Sequence, residues 1–165
     1  MKVQTGYLYH IKDEFFDIVN DDSLMTNHER GKKRPTYFTI KEKDILWFIP
    51  ISSKVDKYQK IVDNKVAKFG FCNSIIIGEF FDRKHAILIQ NAFPTLEKYI
   101  DHVLMIDGKP AEVPTLLQKR ILHNFKSMLK MKENGIDLFF TDIDKIKKTN
   151  DWRIKRNCYI LTIMY

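Results

Sequence analysis

An α+β domain, with strands paired antiparallel and helices laid against them, is predicted by three features of this 165-residue chain. Short runs rich in β-branched and aromatic residues recur at Thr36 to Ile40, Ile45 to Ile49, Ile75 to Ile77 and Ala86 to Ile89. Polar segments short enough for hairpin turns separate them in pairs. After Pro114 the pattern changes to apolar residues at helical spacing, sustained to about Glu133.

Composition bounds the class. Hydrophobic residues are 44% of the chain and charged residues 30%, so one globular domain over 1–165 is expected, with a core that needs neither metal nor disulfide. No run approaches the roughly 18 apolar residues of a membrane span. Met1-Lys2-Val3-Gln4-Thr5 offers no apolar signal core, and a cytoplasmic location without membrane attachment is expected. Cys72 and Cys158 show neither C-x-x-C nor zinc spacing, so they are read as reduced thiols, with no metal and no cofactor. The net charge of +7 and a pI near 9.3 point to a polyanionic partner. RNA or DNA is favoured over an anionic membrane because no amphipathic anchor helix stands out.

Taken in order, Gly6 to Tyr9 reads as a short strand and Ile11 to Val19 as a packed helix, with Ile11, Phe15, Ile18 and Val19 at helical spacing. A polar loop from Asn20 to Gly31 turns basic at Arg30, Lys32, Lys33 and Arg34, and Pro35 holds Arg34 extended. Residues 36–40 and 45–49 should pair about a turn at Lys41 to Asp44. A second hairpin should turn at Asp82-Arg83-Lys84, and Asp107-Gly108 suggests a third. Thr115-Leu116-Leu117-Gln118 has a capping-box pattern and opens a helix with Leu117, Ile121, Phe125, Met128 and Leu129 on one face. Asn134-Gly135 should end it. A short helix is expected from Thr141 to Lys148, and a basic aromatic segment with Trp152, Arg153, Lys155 and Arg156 precedes a strand from Cys158 to Tyr165 that would close the sheet.

The chemistry concentrates after Ile49. Pro50 has no N–H to donate and is expected to end the ladder, and Ser52, Ser53, Lys54 and Lys57 follow. Two hydroxyls beside compact cations suit a phosphate. The same Ser-Ser pair also reads as an ordinary helix N-cap, and the two readings are compatible, because a capped N-terminus still offers N–H groups to an anion. Antiparallel register would bring Lys33, Arg34 and Tyr37 near Ser52, Ser53 and Lys54. Gln90-Asn91 lie past a buried strand, where they either hold a backbone or base edge or start a turn before Pro94. Lys119, Arg120, Lys126, Lys130 and Lys132 form either a solvated helix face or a basic groove wall. The five histidines show no usable pattern, since a paired-histidine ribonuclease needs convergence that a sequence does not display.

The order of these features resembles the ToxN, AbiQ, TenpN and CptN endoribonucleases, toxins of type III toxin-antitoxin systems, and most of all the CptN type. The resemblance covers residues 1–148. It rests on the basic segment before Pro35-Thr36-Tyr37, the hairpin into Phe48-Ile49-Pro50-Ile51-Ser52-Ser53-Lys54, the strand ending Gln90-Asn91-Ala92-Phe93-Pro94, and the helix after Thr115. It implies a bent antiparallel sheet with a barrel core like that of the MazF and Kid toxins, flanked by helices. It further implies metal-independent RNA cleavage leaving a 2′,3′-cyclic phosphate and a 5′-hydroxyl, inhibition by a small structured antitoxin RNA cut from a repeat precursor, and a protein–RNA assembly bridged by that RNA. Carried over, Lys54 stabilises the phosphorane, and Ser52 and Ser53 hold non-bridging oxygens. Lys32, Lys33, Arg34, Asn91, Lys57, Lys119, Lys126 and Lys130 contact RNA, while Tyr37 stacks a base. Other members place one more residue between the hydroxyls and the lysine, so Lys54 and Lys57 compete for that role. A non-catalytic RNA-binding module is the alternative; a DNA-binding regulator fits less well, for want of a helix-turn-helix.

Overall fold

In the computed structural model, which describes residues 2–149, the apolar run beginning at Ile45 becomes the strand on which the sheet is assembled. The chain runs through β1 (Leu8–Ile11), α1 (Asp13–Val19), a small hairpin of β2 (His28–Glu29) and β3 (Lys32–Lys33), β4 (Thr36–Glu42), β5 (Ile45–Ser52) and α2 (Val55–Phe69). There follow β6 (Ile76–Phe80), β7 (Arg83–Ile87), β8 (Phe93–Leu96), β9 (Ile100–Val103), a second small hairpin of β10 (Met105–Ile106) and β11 (Lys109–Pro110), and α3 (Thr115–Glu133). A last helix, α4, covers 143–149. The segment with Trp152, Arg153, Lys155 and Arg156, and the strand expected to Tyr165, lie outside the described residues.

Seven strands form an antiparallel sheet in the order β6-β7-β5-β4-β1-β9, with β8 also on β5. The expected barrel core is an open, bent sheet, edged by β6 and β9 among the described residues. β5 explains the bend. Along one side it pairs with β4 from Glu42↔Ile45 to Thr36↔Pro50; along the other it pairs with β8 as far as Phe48 and with β7 from Ile51. Pro50 therefore does not end the strand. The Pro50 carbonyl accepts from Leu88 N–H on the β7 side, so its missing N–H falls in the gap between β8 and β7, where no ladder bond is broken. An extra residue in β4 between Phe38 and Ile40 adds curvature.

Alternation along the strands sorts the core. Trp47, Ile49 and Ile51 of β5 join Leu8, Tyr37 and Ile87 on the face covered by α3; Leu46 and Phe48 join Tyr9, Ile11 and Phe38 on the face covered by α1. A strand buried on both faces reads as a continuous apolar run, which Ile45 to Ile49 is. α2 packs through Tyr58 on Ala86 and Leu88, behind β7.

The expected helix from Ile11 starts later, because Ile11 pairs with Ile100 at the end of β1. The second hairpin turns at Phe81 and Asp82, both at positive φ, so Arg83 and Lys84 belong to β7 and not to the turn. The hairpins at residues 36–49 and at Asp107-Gly108 form as expected. α3 spans the expected residues, but the capping box does not form: Pro114 is the N-cap, and the Gln118 amide donates instead to the Val113 carbonyl at 2.7 Å. No described helix is long and apolar enough to cross a membrane.

α3 is anchored by Phe125, fully buried and edge-on to Trp47 at 5.3 Å between ring centroids. Phe125→Ala should therefore cost about 3–5 kcal/mol in chemical denaturation, the range for deleting a buried aromatic ring. A cost below about 1 kcal/mol would show that α3 is not held by this contact.

Candidate active site

Where β5 ends, the two serines part company. Ser52 is the last strand residue, paired with Ala86 and 1% exposed, and its Oγ accepts the Lys54 N–H at 3.2 Å. That oxygen shapes the turn and is shielded from solvent, unlike the exposed phosphate contact expected of it. Ser53, one residue on, is exposed. Lys54 is the N-cap of α2, and no side chain caps that helix, so the Ser-Ser pair is not the cap either. Its ammonium is half exposed and lies 3.7 Å from Glu29 Oε1. Lys57 is exposed, with its ammonium 5.3 Å from the centre of the Tyr58 ring.

The basic segment before Pro35 folds into the β2–β3 hairpin, whose two turn residues, Arg30 and Gly31, both have positive φ. This tight turn projects Arg30 and Lys32 into solvent. Arg34 behaves differently: it is 6% exposed, its Nε donates to the Thr26 carbonyl at 3.1 Å, and its Nη1 donates to Glu29 Oε2 at 3.2 Å and to the Ile51 carbonyl at 3.3 Å. Its guanidinium is consumed inside the protein. Arg34 thus ties the hairpin to the end of β5, and Glu29 ties that pair on to Lys54. The two basic segments do meet at one end of the sheet, as antiparallel register required. They meet through Arg34 as a brace, which corrects its expected role as an RNA contact.

Between these segments lies an open cleft of about 700 Å³. The hairpin contributes Glu29, Arg30, Lys32 and Lys33; the end of β5 contributes Ile51 and Ser53. β7 supplies Arg83 and His85 from one flank, and the β1–β9 pair supplies His10 and His102 from the other. In a flat sheet β7 and β9 would stand roughly 19 Å apart at ordinary strand spacing, so the bend is what lets both flanks line one cleft. Arg30, Lys32, Lys33, Arg34 and Arg83 outweigh Glu29, and the cleft is positive.

Its polar groups are coupled. Lys33 donates to Asp101 Oδ2 at 2.9 Å, which raises the lysine's pKa and lowers that of the carboxylate, and the same oxygen lies 3.4 Å from His102 Nδ1. His10 and His102 are register partners with ring centroids 4.8 Å apart. His85 stacks on Phe80 at 4.2 Å, and burial holds its imidazole below the ordinary range. The histidines and Arg83 had no role in the sequence reading. His85 was within reach, since it stands two residues before Ile87 and so shares its face. The His10–His102 pairing joins residues 92 positions apart, and no local pattern marks β9.

Three other sets of residues considered for RNA contact lie away from the cleft. Tyr37 is 2% exposed in the core behind α3, with burial pushing its phenol pKa far up, so it has no face for a base. Asn91 is buried in a 3₁₀ turn over Ile89–Asn91 and does not line the cleft. Lys119, Lys126 and Lys130 lie opposite the Ile121–Phe125–Met128 stripe, exposed and away from the cleft lining, which makes them a solvated face. Among the described residues no set of three or more His, Cys, Asp or Glu side chains converges as metal ligands.

No family model and no curated protein matches the chain. Among solved structures, AbiQ, described as a lactococcal anti-phage endoribonuclease belonging to the type-III toxin-antitoxin system, matches with a TM-score of 0.70 over 92% of this chain and 99% of its own, at 13% identity. The fold is AbiQ-like. At that identity the likeness speaks for the fold, and the coverage shows that an AbiQ-like fold accounts for nearly all of both chains.

Removing the Arg34 brace should register as lost stability. Arg34→Ala strands Glu29 and two carbonyls and should cost about 3 kcal/mol in denaturant melts, as breaking a buried ion pair does. Lys32→Ala, on the exposed turn, should stay within about 0.5 kcal/mol. An Arg34→Ala protein as stable as the parent but weaker on RNA would restore Arg34 as a direct RNA contact.

Proposed function

We propose that this chain is a sequence-selective, metal-independent endoribonuclease toxin of the type III toxin-antitoxin kind, acting in the cytoplasm. The reading is carried by one observation: in an AbiQ-like fold, the bend of the sheet gathers cations from the hairpin and from β7 around Ser53, at the point where β5 becomes α2. A positive cleft with a free hydroxyl at its floor suits a phosphodiester. Transesterification asks little more of a protein than in-line placement of the 2′-OH and neutralisation of the phosphorane.

Roles follow accessibility. Ser53 donates to a non-bridging oxygen, and Lys54, not itself a lining residue but 3.7 Å from Glu29, which is, stabilises the phosphorane charge and protonates the leaving 5′ oxygen. Lys57 lacks that tie and contributes to binding. Lys32, Lys33, Arg30 and Arg83 hold the neighbouring phosphates. The small structured antitoxin RNA fills this same cleft and bridges copies of the protein, and its repeat precursor and cellular mRNA are both substrates. Binding should then weaken steeply with salt.

The test is incubation of total RNA with purified protein in EDTA, scored for cleavage. RNA should be cut, Lys54→Ala should lose on the order of a hundredfold or more in rate while staying folded, and Ser53→Ala should be impaired. Ser52→Ala should keep the chemistry and lose about 1 kcal/mol of stability, since only its turn bond is deleted. Intact RNA with measurable binding would leave a non-catalytic RNA-binding module. A larger loss at Lys57 than at Lys54 would move the catalytic assignment to Lys57.

A further inference from the structure

We propose that His102 is the general base that takes the proton of the substrate 2′-OH, with His10 and Asp101 as its positioning residues. The inference rests on the ribonuclease reading above and adds to it the proton acceptor that reading lacks. Three observations carry it. His102 lines the same cleft as Ser53, and its side chain is 56% exposed, so the ring is open to a ligand and has no core to fill. Asp101 Oδ2 stands 3.4 Å from its Nδ1 and puts a negative charge on that side of the ring; with the proton on Nδ1, Nε2 is the acceptor. Lys33 holds that carboxylate at 2.9 Å, so the orienting group is itself fixed.

A second histidine adjoins the first. His10 faces His102 across the β1–β9 ladder, with the rings 4.8 Å apart and inclined by 42°, and its Nδ1 is buried with no hydrogen-bond partner. Burial, then the neighbouring His102 and Lys33, hold its imidazole below the ordinary value. The Asp101 carboxylate places a negative charge beside the ring that takes up the proton. The charged or titratable groups beside His102 are Lys33 from the hairpin, His10 from β1 and Asp101, and Glu29, Arg30, Lys32, Arg34, Arg83 and His85 line the same cleft. His85 is the less suitable base: its ring is stacked on Phe80 and its Nε2 is buried without a partner.

The step balances. Neutral His102 accepts the 2′-OH proton at Nε2 as the bond from O2′ to phosphorus forms; the bond from phosphorus to O5′ breaks, and the leaving oxygen takes a proton from the Lys54 ammonium. His102 then loses its proton to water and Lys54 regains one, leaving the cyclic phosphate and the 5′-hydroxyl.

The experiment compares the full-length protein with His102→Gln and Asp101→Asn. Cleavage of total RNA in EDTA is followed from about pH 5 to about pH 9, where histidine bases titrate, and binding to a fully 2′-O-methylated oligoribonucleotide is measured in parallel. His102→Gln should lose on the order of 10²- to 10⁴-fold in rate with binding retained, and the acid limb of the parent's pH–rate profile should vanish. Asp101→Asn should lose less, and imidazole should partly restore His102→Ala. A His102→Gln protein with the parent's rate and acid limb overturns the base assignment and leaves the ribonuclease reading standing. Loss of binding to the methylated RNA would make His102 an RNA contact instead. A parent protein that leaves RNA intact at every pH overturns both.

Discussion

One strand has to satisfy two neighbours along the same edge, and the rest of the molecule follows from how it does so. β5 hands its outer edge from β8 to β7 across Pro50, the one residue type that leaves no donor stranded at the gap. The hand-over turns the sheet, so that β7 and the β1–β9 pair, on opposite flanks of it, come round to one cleft. It also sets where the strand stops. Ser52 is still in the ladder and Ser53 is free of it, so a single residue of register decides which hydroxyl is inside and which is presented.

The basic character of the cleft has a structural layer beneath it. Arg34 is removed from solvent and Glu29 partly so, and Arg34 spends its hydrogen bonds on Thr26, Ile51 and Glu29, which fixes the β2–β3 hairpin over the end of β5. Arg30 and Lys32 can then be long, exposed and, among the described residues, without an ion pair, while the hairpin itself is held. Lys33 is intermediate, committed to Asp101 yet lining the cleft. The four basic residues from Arg30 to Arg34 thus divide into a brace, a linked cation and two exposed ones, a division that net charge does not reveal.

That division marks how far the sequence could be read. The β4–β5 and β10–β11 hairpins and α3 were legible because their signals are local: alternation, a turn pair, a 3.6-residue stripe. The meeting of residues near 34 with those near 52 was legible too, since hairpin register dictates it. Burial was not. Ser52, Arg34, Tyr37 and Asn91 have polar groups that suit an RNA site, and the fold turns each inward for reasons set by distant partners such as Ala86, Ile51 and the α3 face. Pro50 misled because a proline ends a strand only when its missing N–H faces a neighbour. The His10–His102 pair was illegible, because β9 lacks an apolar pattern and its pairing with β1 spans most of the chain.

The account's central claim is that this cleft makes RNA cut itself, with the 2′-OH as nucleophile. The most direct measurement is mass spectrometry of the ends released from RNA by the purified protein, repeated on an oligoribonucleotide carrying a single 2′-deoxy substitution at a mapped cleavage position. The account predicts 2′,3′-cyclic phosphate and 5′-hydroxyl ends, and no cutting at the substituted position. Ends bearing 5′-phosphate and 3′-hydroxyl, or cleavage that persists at the deoxynucleotide, would contradict it.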